Sequence, residues 1–396
     1  MIQISPETQL FIREHSSDDV RALALQAKKY PDIDMPTAIT QIAGRKVAAE
    51  KIPSWWEIEK IWYPKHLSLE QCSSEITARY KARLLQGDSL TDLTGGFGID
   101  CSFLATGFKS TTYVERQEEL CEIAAHNFPV LNLNHINIKN EDGVTYLQAM
   151  SPVDCLFLDP ARRNEHGGKT VAISDCEPNV AELEELLLQK ANRVMIKLSP
   201  MLDLSLALKE LKHTQEVHIL SVNNECKELL ILLGQTSPAE IAIHCVNLLT
   251  KGTQEEQHFV FTREQEQRSQ CTYTDSLGDY LYEPNASLLK AGAFRSIATA
   301  YPVRKLHPNS HLYTSDSFIE NFPGRIFRIA NQCSLNKKEV KENLADLKKA
   351  NVTVRNFPAT VAELRKRIHL AEGGDTYLFA STLNNGQKVI IRCEKV

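Results

Sequence analysis

From Leu90 to Gly234 the chain repeats one pattern: a short apolar run, a turn, then an amphipathic stretch. "LTDLT" leads into "IDCSFLATG", "STTYVER" into "QEELCEIAAHNF", and "HINIKNEDG" into "VTYLQAM". "VDCLFLDPARR" is followed, after a loop, by "NVAELEELLLQKA", and "RVMIKLSP" by "DLSLALKELKH". Strand-length apolar runs alternating with stretches of three- and four-residue spacing predict a parallel sheet with helices on both faces. "EVHILSVN" and "CKELLILLG" close the series as two strands on a short linker, which predicts an antiparallel hairpin at one edge.

At 396 residues the chain is too long for a single hydrophobic core, so several domains are expected. Residues 1–86 carry helical spacing, as in "MPTAITQIAGRKVAAEK". Trp55, Trp56 and Trp62 cluster there, either as packing between helices or as a surface on which bases could stack. Past Gly234, "AEIAIHCVNLL" and "QHFVFTREQEQ" are expected to extend the sheet, and Asn285 to cap a helix within "YLYEPNASLLKAGAFRSIATAY". The remainder reads strand–helix–strand–helix–strand–strand. The divisions are therefore 1–86 helical, 87–272 the α/β sheet, 273–324 a connecting segment and 325–396 a compact α+β module.

The opening residues lack a basic stretch followed by an apolar core, so no signal peptide is expected, and no apolar run is long enough to span a bilayer. The ten cysteines are scattered and fit free thiols in a reducing cytoplasm. No Cys or His pair shows zinc spacing, so no metal is expected.

In such a sheet, ligands bind beyond the carboxyl ends of the strands. The first turn, "DLTGGFG", lets the backbone of Gly95, Gly96 and Gly98 approach a ligand closely, and the helix after it presents unpaired N–H groups. Glu115 ends the second strand, where a carboxylate can accept both ribose hydroxyls. Asp142 follows the third strand and Asp159 ends the fourth. Each could be only a loop or cap residue, but acidic strand ends in consecutive units after a glycine turn point to a nucleoside-bearing cofactor. No Lys-Ser/Thr pair closes this glycine turn, which excludes a P-loop there.

"DLTGGFG", "VER", "NEDG" and "LDPAR" resemble the successive motifs of class I S-adenosylmethionine-dependent methyltransferases. More closely, "LSLEQCSSEITARYKA", "DLTGGFGID", "LDPARR", "KLSPMLDL" and "YEPNASLLKAGAF" resemble a bacterial family of RNA methyltransferases ending in a ferredoxin-like segment and a THUMP-like domain. The resemblance implies a Rossmann-like seven-stranded sheet, with the segment 273–324 ferredoxin-like and 325–396 THUMP-like. It implies S-adenosylmethionine as cofactor, held by Ser74 of the flanking helix, by Asp92, Thr94, Gly95, Gly96, Phe97 and Gly98, and by Glu115, Asp142 and Asp159. Thr94 stands where the family motif has its first glycine. "DPAR" is similar to the Asp/Asn-Pro-Pro-aromatic turn of amino-methylating enzymes. There the Asp159 side chain and the Pro160 carbonyl would receive the target amino group, or Asp159 would act as a base. Arg162 takes the place of the stacking aromatic, to stack by its guanidinium plane or to hold a phosphate; Arg162 and Arg163 could equally be a solvated pair. Uracil C5 chemistry needs a cysteine nucleophile where this chain has "KLSPM", so the covalent route is disfavoured; Lys197 and Ser199 could line the pocket, and Ser199 could equally be a helix cap.

Charge adds a partner. Residues 325–396 hold 14 Lys/Arg against 7 Asp/Glu, a formal +7, in a chain whose net charge is −5. A basic terminal module on an acidic protein suggests phosphate contacts, with Arg325, Arg328, Arg365, Lys366 and Arg367 as candidates. Structured RNA, tRNA or rRNA, is the partner that the resemblance implies. The alternatives are a small-molecule or protein methyltransferase using the module for assembly, and a cofactor-binding protein without catalysis.

Overall fold

The computed structural model describes residues 4–162, 172–251 and 256–396, without the side chains of His66, Leu67 and Arg162. The chain forms two compact units, Met1–Gln215 with Leu230–Pro238, and Glu216–Leu229 with Ala239–Val396. Among the described residues, no helix is long and apolar enough to cross a membrane.

The expected α/β sheet is present. Its strands are β1 (Ser89–Asp92), β2 (Ser110–Glu115), β3 (Ile136–Asn140), β4 (Val153–Leu158), β5 (Ala191–Leu198), β6 (Thr214–Val222), β7 (Glu225–Gly234), β8 (Ala242–Leu248) and β9 (Glu256–Phe261). Their order is β9–β8–β6–β7–β5–β4–β1–β2–β3. β1 pairs in parallel with β2 and β4, so strand order reverses around β1, which is where a ligand crevice belongs. The β6–β7 pair is not an edge: β8 lies parallel against β6, and β9 antiparallel beyond it. β8 and β9 thus extend the sheet past the seven strands.

Helix α1 (Met35–Lys51) begins where the Asp34 carboxylate accepts the Thr37 N–H at 3.3 Å, with Pro36 in its first turn. Its last turn joins Ile52, Trp55, Ile61 and Tyr63 in a core shared with Phe97, Ile99, Leu120 and Ile123. Trp55 is 2% exposed, whereas Trp56 lies out under the Arg45 guanidinium and Trp62 packs edge-on to His126. Packing between helices therefore accounts for Trp55 and Trp62. Helix α2 (Glu75–Ala82) follows and lies against α3 (Ile99–Ala105). The helices after β2, β3 and β4 are α4 (Glu118–Val130), α5 (Gly143–Ala149) and α6 (Val180–Lys190).

The second unit carries another sheet. Its strands are β10 (Tyr280–Pro284), β11 (Arg304–Lys305), β12 (Tyr313–Ser315), β13 (Gly324–Cys333), β14 (Lys349–Val354), β15 (Ala371–Thr382) and β16 (Lys388–Lys395). They are ordered β11–β12–β10–β13–β16–β15–β14. Asn285 caps the helix after β10, accepting the Leu288 N–H at 3.2 Å. α7 (Lys337–Leu344) and α8 (Val361–Ile368) complete the strand–helix alternation. Leu344, Leu364, Ile368, Leu378 and Ile390 share their core.

Candidate active site

The first turn is laid against β2. Gly95 donates its N–H to the Val114 carbonyl at 2.8 Å, and the Tyr113 hydroxyl donates to the Gly96 carbonyl at 2.5 Å. A Cβ on Gly95 would lie 2.2 Å from the Tyr113 ring, so only glycine fits there. Gly96 (φ 53°) and Gly98 (φ 86°) are left-handed, which turns the chain from β1 into α3 within a few residues. Phe97 points away from the turn into the helical region, edge-on to Trp55 at 5.2 Å between ring centres. Its side chain is an anchor for the loop; only its backbone belongs to the turn.

Thr94 explains its own departure from glycine. Its hydroxyl accepts the Asp159 N–H at 2.6 Å and so ties the β1 turn to the tip of β4. Its N–H donates to Asp92 Oδ1 at 3.0 Å. Asp92 Oδ2 is buried without a hydrogen-bond partner among the described residues, and burial pushes the carboxyl well above the usual carboxylate range. An orphaned polar oxygen beside the turn is the kind of group that a ligand or a bridging water completes. Glu115 Oε2 accepts the Gly96 N–H at 2.9 Å and Oε1 the Gln117 N–H at 2.8 Å. Each oxygen keeps a second lone pair, so two hydroxyl donors can still be taken. Asp142 is exposed and caps α5, accepting the Val144 and Thr145 N–H groups at 3.1 and 3.0 Å through Oδ1.

Behind the turn lies a buried charge network. Lys81, on the inner face of α2 and 0% exposed, sits 3.0 Å from Asp100 Oδ1 and donates to the Ser73 hydroxyl at 2.9 Å. Ser73 donates to Asp100 Oδ2 at 2.7 Å. Lys197, near the end of β5, reaches Asp100 Oδ2 at 3.3 Å and Asp159 Oδ2 at 2.5 Å. Burial would raise Asp100, but Lys81, Lys197 and Ser73 outweigh it and hold the carboxyl at about 2. For Asp159, 38% exposed, desolvation raises the carboxyl and Lys197 offsets only part of this. Sequence reasoning placed Lys197 near the pocket but missed Ser73, Lys81 and Asp100. The one signal was a lysine spaced three and four residues from Ala78 and Thr77 on an apolar helix face.

Ser74 begins α2 with its hydroxyl 3.3 Å from that of Thr77, one residue from the network. Pro160 is buried at the tip of β4, and Ala161–Arg162 pair with Cys176–Glu177. The Arg162 side chain and Arg163 lie outside the described residues. Ser199 accepts the Met201 N–H at 3.3 Å, within a turn.

The basic candidates of the second unit divide. Arg325 donates from Nε to buried Glu283 at 2.8 Å, Arg355 donates to the other oxygen at 3.0 Å, and the Arg325 guanidinium lies over Phe327. Arg365 is drawn inward, 17% exposed, 3.8 Å from Glu372. Both engage carboxylates of the protein. Arg328, Lys366 and Arg367 are exposed. All ten cysteines are free thiols.

Residues 280–323 match the model of a ferredoxin-like domain, and residues 324–395 that of a THUMP domain-like family. A crystal structure from Porphyromonas gingivalis W83, provisionally described as a methyltransferase, is 34% identical over 100% of both chains, with a TM-score of 0.88. An rRNA methylase from Streptococcus thermophilus is 16% identical, covering 40% of this chain and 93% of its own, with a TM-score of 0.29. A Streptococcus mutans protein, provisionally described as a methyltransferase and crystallised with SAH, is 13% identical, covering 40% and 96%, with a TM-score of 0.30. These last two likenesses are too slight to bear on function. The comparison with curated proteins returned no match. Full-length identity at this level, on a sheet that keeps the glycine turn and the acidic strand ends, means that the chain belongs to the methyltransferase family that carries ferredoxin-like and THUMP-like domains at its C-terminal end.

Proposed function

We propose that the protein is an S-adenosylmethionine-dependent methyltransferase that modifies a base in structured RNA. The observation that carries this reading is the meeting of the glycine turn and the Asp159–Lys197 pair at neighbouring strand tips, joined by the Thr94–Asp159 hydrogen bond. When bound, S-adenosylmethionine supplies a methyl group on a positively charged sulfur. The turn's backbone would approach it, Glu115 would accept its ribose hydroxyls, and Asp142 and Asp92 would meet its adenine and methionine ends. Lys197 engages Asp159 Oδ2, which leaves Oδ1 to accept from an amino group on the target, with the Pro160 carbonyl beside it. Holding that nitrogen in line with the methyl group is most of the catalysis, because the reaction needs position more than proton transfer. The exposed cations Arg328, Lys366 and Arg367, in a THUMP-like domain, support RNA as the substrate.

The test uses labelled S-adenosylmethionine, RNA from a strain lacking the gene, and nucleoside mass spectrometry. The wild-type protein is expected to add one methylated nucleoside. Asp159→Ala, which removes the acceptor oxygen, is expected to lose transfer while calorimetry still shows cofactor binding. Labelling of protein or metabolite fractions with RNA left unlabelled would overturn the substrate class.

A further inference from the structure

A second cluster lies in the second unit, on one face of β6, β8 and β9. His218 on β6 and His244 on β8 are register partners in parallel strands, their rings stacked at 4.3 Å with 11° between planes. His258 on β9 stands opposite Val246, two residues from His244 and therefore on the same face. His244 Nδ1 lies 3.1 Å from His258 Nε2. Glu216 precedes His218 by two, sharing its face, with Oε2 3.2 Å from His218 Nε2. One donor atom from each of Glu216, His218 and His244 lies within 4.8 Å of the other two.

We propose that Glu216, His218 and His244 form a site for a divalent zinc-class cation, with His258 orienting His244. In a tetrahedral zinc site, with bonds near 2.0–2.1 Å, donor atoms sit about 3.3 Å apart. Glu216 and His218 already have that spacing; the stacked rings of His218 and His244 hold their in-plane lone pairs nearly parallel, so closing on an ion requires the His218 ring to turn about its Cβ–Cγ bond, with the Glu216 side chain following. A His244 tautomer that donates Nδ1–H to His258 leaves Nε2 with a lone pair for the ion, which is how metal-bound histidines are ordinarily oriented. Two imidazoles and a carboxylate suit zinc far better than magnesium, which prefers oxygen donors. Three protein ligands leave a fourth position to water. The site escaped the linear search for zinc spacing because separate strands supply its donors at positions 216, 218 and 244.

The test is calorimetric titration of the full-length, chelator-treated protein with ZnCl2, with MgCl2 as control and melting temperature as a second readout. One zinc per chain is expected, with a raised melting temperature and no response to magnesium. His244→Phe, which keeps a ring in the stack, should remove this binding, and Glu216→Gln should weaken it at least about tenfold. His258→Phe should keep the stoichiometry and weaken affinity by about 10–100-fold, as loss of an orienting partner does. Zinc that fails to bind the wild type, or binds with unchanged affinity to Glu216→Gln and to a folded His244→Phe, overturns the site and assigns any residual binding to the free thiols. Should His244→Phe not fold, unchanged affinity in the near-isosteric Glu216→Gln overturns it alone. None of these variants touches the methyltransferase turn, so failure here leaves the proposed reaction standing.

Discussion

Replacing Lys81 by Met removes one cation from the network behind the cofactor turn while keeping most of the side-chain volume. Two unit charges 3.0 Å apart attract by roughly 5 kcal/mol at an effective dielectric of about 20. Much of that is offset by the desolvation of both groups. What Lys81→Met leaves is a carboxylate 10% exposed, supported by Lys197 at 3.3 Å and Ser73 at 2.7 Å. Breaking a buried pair by removing one partner costs about 3–5 kcal/mol. The surviving partners argue for the lower end, and at 2–4 °C per kcal/mol the melting temperature should fall by about 10 °C. Adding Asn at position 100 should restore part of the loss, because the orphaned charge goes with it. The acid side gives an independent reading. Asp100 falls from an ordinary 3.8 to about 2 in the fold, worth roughly 2 kcal/mol at about 1.4 kcal/mol per pKa unit. A depressed carboxyl stabilises fully above its unfolded value and loses that stabilisation as pH falls through its folded one. The stability difference between wild type and Asp100→Asn should therefore shrink between about pH 4 and pH 2. Thermal and denaturant melts of the single and double variants measure both effects. A Lys81→Met protein melting within about 2 °C of the wild type, with no recovery in the double variant, would refute the network.

Gly95→Ala drives a Cβ into the Tyr113 ring and should cost about 1–3 kcal/mol and weaken cofactor binding in calorimetry. Gly96→Ala meets nothing closer than 3.9 Å and should cost only the left-handed backbone, about 1–2 kcal/mol; equal effects on binding would place the close approach elsewhere. Reversing Lys366 and Arg367 to Glu should lower RNA affinity whatever the sequence and reduce the salt slope by about 0.7–0.9 per lost phosphate contact. Arg325→Ala should instead lower the melting temperature, because it leaves buried Glu283 with Arg355 alone; a drop in RNA affinity without a change in stability would return Arg325 to the RNA surface.

The parallel sheet, the glycine turn and the C-terminal alternation were legible because periodicity is a local property, readable over a handful of residues. Asn285 was legible as a cap for the same reason. The placement of the β6–β7 pair was not, since a strand added beyond β6 leaves no trace in β6 itself. Counting charges identified the basic module, yet could not tell that Arg325 and Arg365 face protein groups while Lys366 and Arg367 face solvent. The charge network is the least legible feature. Lys81, Asp100 and Lys197 lie on two helices and a strand, and Asp100 and Lys197 are 97 positions apart. A pattern reading treats each as one polar interruption of an apolar face. Three-dimensional proximity alone turns them into a unit.

Phe97 belongs to the glycine turn by sequence and to the helical region by packing, wedged against Trp55 and Tyr63. The turn thus has a floor built from residues far upstream of β1, and its shape is inherited from chain that looks dispensable on a motif map. A gene trimmed to start at the first strand would keep the glycine turn and the acidic strand ends and lose the surface that holds them in register. The practical unit of this enzyme, for expression, for engineering or for grafting onto another substrate-binding module, therefore begins with the helices.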